Sequence, residues 1–352
     1  MQFEQWDRLR PIGLTPPVMQ ALATLDATGT PMRVVEVHRE SVIVADGGGE
    51  LAAQVLPALR RESPLAVGDW VAGERDAYGD CWIHARMAPL TQLVRRNSEG
   101  QPQPLVSNVD TALLVMGLDG DFNLRRLERY LAMVHPAGLW PVVVLTKADL
   151  CSDAEARRAE VTARIGPRVD VHVVNALDRA AATALAPYLG AGQTLVLLGS
   201  SGAGKSTLTN ALLGVEVQAT GAVRADDSRG RHTTTVRSLH RLPGGACVID
   251  TPGLRGLAPD IDEAALMASF DDISALSDQC RFRDCTHANE PGCAVREGVA
   301  PDRLANYQKM LRDIRRETMT PLQKREVLAM WKARHRAAAA RMKLKRGCSD
   351  ER

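Results

Sequence analysis

The stretch Thr194-Leu-Val-Leu-Leu198, followed by Gly199-Ser200-Ser201-Gly202-Ala203-Gly204-Lys205-Ser206-Thr207, decides what kind of protein this is. An apolar run of strand length passes into a full G-x-x-x-x-G-K-[ST] match, and a helix is predicted to open near Lys205. In that strand–loop–helix context the glycines let successive backbone N–H groups turn inward on a nucleotide phosphate, and the helix N-terminus adds its dipole. Lys205 is placed to reach the β- and γ-phosphates, which counts it with catalysis as well as binding. Ser206 is placed to ligate Mg²⁺, and Thr207 adjoins the same site.

Working outward, strand-like runs at Ala112–Met116, Pro141–Leu145, Val169–Val174 and Cys247–Ile249 alternate with helical patterns at Leu124–Val134 and Ala154–Ile165. That alternation predicts βαβ units and a mostly parallel sheet covered on both faces. The run Cys247-Val-Ile-Asp250-Thr-Pro-Gly253 is a buried strand ending in D-x-x-G, about 45 residues past the phosphate loop. Asp250 is placed to hold Mg²⁺ through a water, and the Gly253 amide to sense a γ-phosphate. Between the two lies Gly230-Arg-His232-Thr233-Thr234-Thr235, a polar stretch in which Thr233 or Thr234 can complete the Mg²⁺ shell. Leu145-Thr146-Lys147-Ala148-Asp149 ends another buried strand, where α/β sheets bind ligands. The Asp149 carboxylate can accept from N1–H and N2–H₂ of guanine, a donor pair adenine lacks, and the Lys147 stem can cover the base face. The guanine motif precedes the phosphate loop, the reverse of the ordinary GTPase order, which a circular permutation of the same sheet allows.

The flanks differ in character. Up to about Arg95, short alternating runs at Met32–Val37, Ser41–Ala45, Leu51–Val55, Asp69–Ala72 and Cys81–Ala85 predict a small β-barrel, OB-like or SH3-like. Arg95 to Val106, with Pro102 and Pro104, reads as a linker. Past about Asp260 the chain reads as helical, and Cys280, Cys285, His287 and Cys293 form C-x4-C-x-H-x5-C. Four soft or borderline ligands so closely spaced suit one tetrahedral, structural Zn²⁺. From Pro321 onward, ten Lys and Arg stand against Glu326, Asp350 and Glu351, a basic tail that suits RNA phosphate. No run of apolar residues reaches membrane length, and the first ten residues lack a signal-peptide core. Seven cysteines in 352 residues, an odd number, argue against a disulfide framework and for a reducing compartment. A net charge of only +2 means that global charge predicts no partner.

The order of small barrel, Thr146–Asp149, Gly199–Ser206, Gly230–Thr235, Asp250–Gly253 and the cysteine/histidine cluster resembles the RsgA family of circularly permuted bacterial GTPases. The resemblance implies an α/β, circularly permuted P-loop GTPase domain at 98–259. This would lie between an N-terminal extension (1–30) with an OB-fold β-barrel (31–97) and a helical zinc-binding domain with a basic tail (260–352). It implies a cytoplasmic, monomeric GTP hydrolase that binds the small ribosomal subunit and its 16S rRNA. Turnover to GDP would be stimulated by the ribosome during late maturation, with Mg²⁺ accompanying GTP and one structural zinc. Nucleotide state would control ribosome binding. The alternative is a zinc-containing RNA-binding protein in which GTP is mainly structural. Asn175-Ala176 stands where the family places its base-supporting Ser-Ala, and Thr146 stands where it usually has Asn. Leu254 occupies the place of a water-orienting Gln, so slow intrinsic hydrolysis with help from His232 or from the ribosome is expected.

Overall fold

The computed structural model describes residues 3–25, 29–62, 64–96, 101–178, 180–214, 237–251 and 260–318, together with Arg325 and Met330. The chain divides into two compact units, Met1–Ile261 and Asp262–Arg352.

In the first unit, β1 (Thr30–Val37), β2 (Val42–Ala45), β3 (Glu50–Val55), β4 (Trp70–Arg75) and β5 (Cys81–Arg86) form the barrel. Strand β1 pairs with both β2 and β4, β3 runs parallel to β5, and β4 is antiparallel to β5, so the five strands close in the order 1-2-3-5-4-1. That closure is the OB arrangement and settles the choice that alternation alone leaves open. Inside lie Met32, Val34, Val42, Val44, Val71 and Ile83.

Where the sequence reads as a linker, the structure has an antiparallel ribbon of β6 (Gln92–Arg96) and β7 (Pro102–Ser107). Pro102 and Pro104 fit because a two-stranded ribbon has free edges and this one bends at Leu93/Val94.

Strands β8 (Thr111–Gly117), β9 (Trp140–Thr146), β10 (Asp170–Val173), β11 (Thr194–Leu198), β12 (Ser238–Arg241) and β13 (Cys247–Asp250) form the second sheet region, in the order β10-β9-β8-β11-β13-β12. All are parallel except β12, which the sequence pattern does not announce and which runs antiparallel to β13. Every residue of β8 and β11 is buried, as strands covered on both faces require. Among the described residues one strand pairing, Glu36 with Ser238, joins the barrel to this sheet.

The N-terminal extension is part of the core. Helices Phe3–Leu9 and Pro16–Ala23, with the segment between them, bury Leu9, Ile12, Leu14, Val18 and Leu22 against residues of β8, β11 and the barrel. Beside them Arg33 is fully buried. It donates to Ile12 O (2.6 Å), Asn108 O (2.8 Å), Thr194 Oγ1 (2.9 Å) and Gly68 O (3.3 Å), so one guanidinium ties together the N-terminal segment, the barrel and the phosphate-loop strand.

The second unit packs helices Glu263–Ala268, Asp271–Ser277, Ala294–Gly298 and Pro301–Thr318 around Phe270, Ile273, Val295, Tyr307, Met310 and Ile314. Among the described residues no helix is long and apolar enough to cross a membrane.

Candidate functional site

The phosphate loop leaves the C-terminal end of β11 and feeds the helix Lys205–Leu213. Gly202 and Gly204 hold φ of 83° and 90°, conformations side chains resist, and a Cβ at Gly199 would lie 2.4 Å from Val115 O on β8. The glycines are therefore required by geometry. Lys205 is buried, with Nζ donating to Ser200 O (2.8 Å) and Gly199 O (3.1 Å). Burial lowers its pKa, and the carboxylates of Asp250 and Asp121 partly offset this. An ammonium resting on loop carbonyls at a helix N-terminus is poised to accept an anion. Asp250 ends β13, which lies parallel beside β11, and its Oδ2 is 3.4 Å from Ser206 Oγ. These two hard oxygen donors, on the strand end and the first helical turn, fit a Mg²⁺ shell. Thr251 Oγ1 donates to Leu197 O at 2.6 Å, which ties the end of β13 to β11.

The guanine motif emerges from β9, next to β8 in the same sheet. Thr146 is fully buried and its hydroxyl donates to Ala203 O of the phosphate loop at 2.7 Å. The Thr146 hydroxyl thus ties the two motifs directly to each other. Lys147 adopts φ of 62°, unusual for a residue with a Cβ. Ala148–Leu150 form one 3-10 turn that leaves Asp149 exposed. Ala148 N donates to Val174 O, which brings Asn175 and Ala176 beside the motif. There Asn175 Oδ1 accepts from Leu177 N (3.0 Å) and Ala176 is buried.

Two contacts at this site are not legible in the sequence. Lys147 Nζ meets Asp119 Oδ2 at 2.6 Å, and Ser200 Oγ donates to Asp121 Oδ1 at 2.5 Å. The only sequence signal is a Gly-Leu-Asp-Gly-Asp turn after β8, which any loop could carry. Asp119 sits below the ordinary carboxylate range: burial pushes it up, but the Lys147 ammonium and the backbone amides of Asp121 and Asp119 together outweigh this. His232, Thr233, Thr234, Gly253 and Leu254, and nearly all of the basic tail, lie outside the described residues.

In the second unit, the ligand atoms of Cys280, Cys285, His287 and Cys293 all lie within 4.8 Å of one another. Cys280 Sγ is 3.9 Å from Cys293 Sγ and 3.6 Å from His287 Nδ1, and Cys293 Sγ is 3.4 Å from that nitrogen. Metal–sulfur bonds of about 2.3 Å in a tetrahedron require ligand separations of this size. The Ser277 hydroxyl donates to Ile273 O at 2.7 Å, which leaves its lone pair for His287 Nε2–H at 3.3 Å. The proton is thereby assigned to Nε2, and Nδ1 faces the sulfurs as a ligand. This cluster can hold a metal ion.

Against this geometry stand three comparisons. The RsgA GTPase family model matches residues 87–259. A small ribosomal subunit biogenesis GTPase RsgA from Xanthomonas campestris pv. campestris (strain ATCC 33913) is 46% identical over 308 residues, covering 84% of this chain and 83% of its own. Among solved structures, YjeQ from Thermotoga maritima is similar with a TM-score of 0.58 and 24% identity, over 81% of this chain and 98% of that one. YloQ, a circularly permuted GTPase, is similar with a TM-score of 0.55 and 23% identity, over 84% and 99%. The structures support the permuted fold, and the sequence identity carries the family. The chain belongs to the RsgA GTPase family.

Proposed function

We propose that this protein hydrolyses GTP to GDP and phosphate in the maturation of the small ribosomal subunit, with the subunit and its 16S rRNA as partners. The observation that carries the reading is the Thr146–Ala203 contact, which sets a guanine motif and a phosphate loop side by side at the C-terminal ends of one parallel sheet.

In this reading Asp149 accepts from the guanine edge, the Lys147 stem covers the base, and Asn175 and Ala176 support it. The backbone amides of the phosphate loop take the β-phosphate, and Lys205 exchanges its two loop carbonyls for phosphate oxygens. Ser206 and Asp250 would hold Mg²⁺, with Thr233 or Thr234 completing the shell, and the bound ion would neutralise charge on the β- and γ-phosphates. With Leu254 in the Gln position, the attacking water is oriented by His232 or by the ribosome in trans. The three-cysteine, one-histidine cluster holds zinc as a structural ion, since no ligand position is left open. The protein acts in the cytoplasm as a monomer.

The test is GTP turnover with and without purified small subunits, with ATP as competitor. Turnover should be slow alone, rise with subunits and resist ATP. Equal use of ATP, or no response to subunits, would refute the proposal.

A further inference from the structure

The loop that leaves β8, Gly117-Leu-Asp119-Gly-Asp121-Phe-Asn123, belongs to none of the nucleotide motifs, yet each of its carboxylates is bonded to one of them. Asp119 Oδ2 receives Lys147 Nζ at 2.6 Å. Asp121 Oδ1 receives the Ser200 hydroxyl at 2.5 Å and Arg126 Nη2 at 2.6 Å, and its Oδ2 receives Gly117 N at 3.3 Å. The two are themselves linked, because Asp121 N donates to Asp119 Oδ1 at 3.0 Å. A continuous chain of polar contacts therefore runs from the base motif to the start of the phosphate loop. We infer that Asp119 and Asp121 are positioning residues, which hold the base-covering lysine and the phosphate loop in one register before nucleotide arrives. This rests on the nucleotide reading given above.

Each carboxylate acts on a different end. A lysine carries four rotatable methylenes, and freezing them over a base costs entropy when the ligand binds. With its ammonium already held on Asp119, Lys147 has lost much of that freedom in advance, which is preorganisation. Gly117 makes the contact possible: a Cβ there would lie 2.6 Å from Asp119 Oδ1 and 3.4 Å from Lys147 Cδ. At the other end, Asp121 holds the side chain of Ser200, whose carbonyl supports Lys205 Nζ at 2.8 Å. Arg126 clamps the same carboxylate from the helix Leu124–Val134, which is anchored by its own Asn123 cap. The negative charge of Asp121 also opposes the desolvation of Lys205. The fixed Ser200 carbonyl is thus one of the two rests from which Lys205 reaches phosphate.

The test compares affinities of the full-length protein for GTP, GDP and GMP by competition against a fluorescent GDP. Asp119→Asn should weaken all three by a common factor, on the order of tenfold, since all three present the same base. Asp121→Asn should weaken GTP and GDP by a similar factor and leave GMP unchanged, because GMP lacks the β-phosphate. Should Asp121→Asn not fold, Ser200→Ala deletes the same contact while keeping the charge and carries the same expectation. A merely structural role would make Asp121→Asn lower GMP affinity along with the other two, so loss of GMP binding in Asp121→Asn equal to its loss of GTP and GDP binding, or no shift in either variant, would overturn the inference. Wild-type protein that binds ATP as well as GTP would overturn the nucleotide reading itself, and is recognised before any variant is compared.

Discussion

The Thr146 hydroxyl and the Ala203 carbonyl, 57 residues apart in the chain, meet at 2.7 Å in a fully buried position. The space between them has no slack. A Cβ on Gly204 would lie 3.2 Å from Thr146 Oγ1, closer than an ordinary contact, and its φ of 90° favours glycine as well. One hydroxyl thereby couples the element that reads the base to the element that binds phosphate.

Thr146→Val conserves shape and deletes the hydroxyl. Loss of this buried hydrogen bond should lower stability by about 1–3 kcal/mol in urea denaturation. Affinity for GTP should fall with it, and Thr146→Ser should restore both. A valine variant with unchanged stability and GTP affinity would show the contact to be idle.

Lys205 carries an opposite signature. Burial holds its pKa below the unfolded value, so at pH values between the two the unfolded chain binds more protons and stability rises with pH. Lys205→Met removes this cost. In calorimetry the nucleotide-free variant should melt at or above the wild-type temperature and lose this contribution to the alkaline rise. It should also lose the stabilisation that GTP confers, about 2.7 kcal/mol at a hundred times Kd. A free variant that melts well below wild type would contradict the sign.

Arg33→Met should cost about 3–5 kcal/mol, because it strands buried acceptors at Ile12, Gly68, Asn108 and Thr194. Arg33→Lys should recover only part of the loss, since an ammonium lacks the planar fork that serves four acceptors at once. Guanidinium denaturation followed by tryptophan fluorescence measures both, with equal midpoints for Arg33→Lys and wild type the refuting result.

At the metal cluster, Ser277→Ala removes the acceptor that keeps the proton on His287 Nε2. Zinc affinity should fall roughly 10–100-fold in competition with a chromophoric chelator. Cys285→Ser should release the ion and lower the melting temperature of residues 262–318, because ligation and local folding are linked. Retention of one full equivalent of tightly held zinc in Cys285→Ser would exclude Cys285 as a ligand.

Features encoded within one short window are legible in the amino-acid sequence by itself. The phosphate loop, the parallel strands of the sheet (β12 excepted), the helices Leu124–Val134 and Ala154–Ile165, and the cysteine/histidine spacing all depend on neighbours a few residues apart. Periodicity and spacing carry that information because backbone hydrogen bonding and ligand reach are local. Only tertiary structure decided the rest. The choice of an OB barrel lies in β1 meeting β4 and β3 running parallel to β5, pairings that no alternation pattern specifies. Residues 102–107 read as a linker by their prolines but form a strand because their ribbon has open edges. Nothing local to Arg33 announces its burial, because one of its partners, Thr194, lies 161 residues away. Asp119 and Asp121 read as a turn, and only the folded sheet sets that turn against Lys147 and Ser200. A polar residue's role is fixed by what meets it, and residues this far apart in sequence meet only when the sheet has assembled.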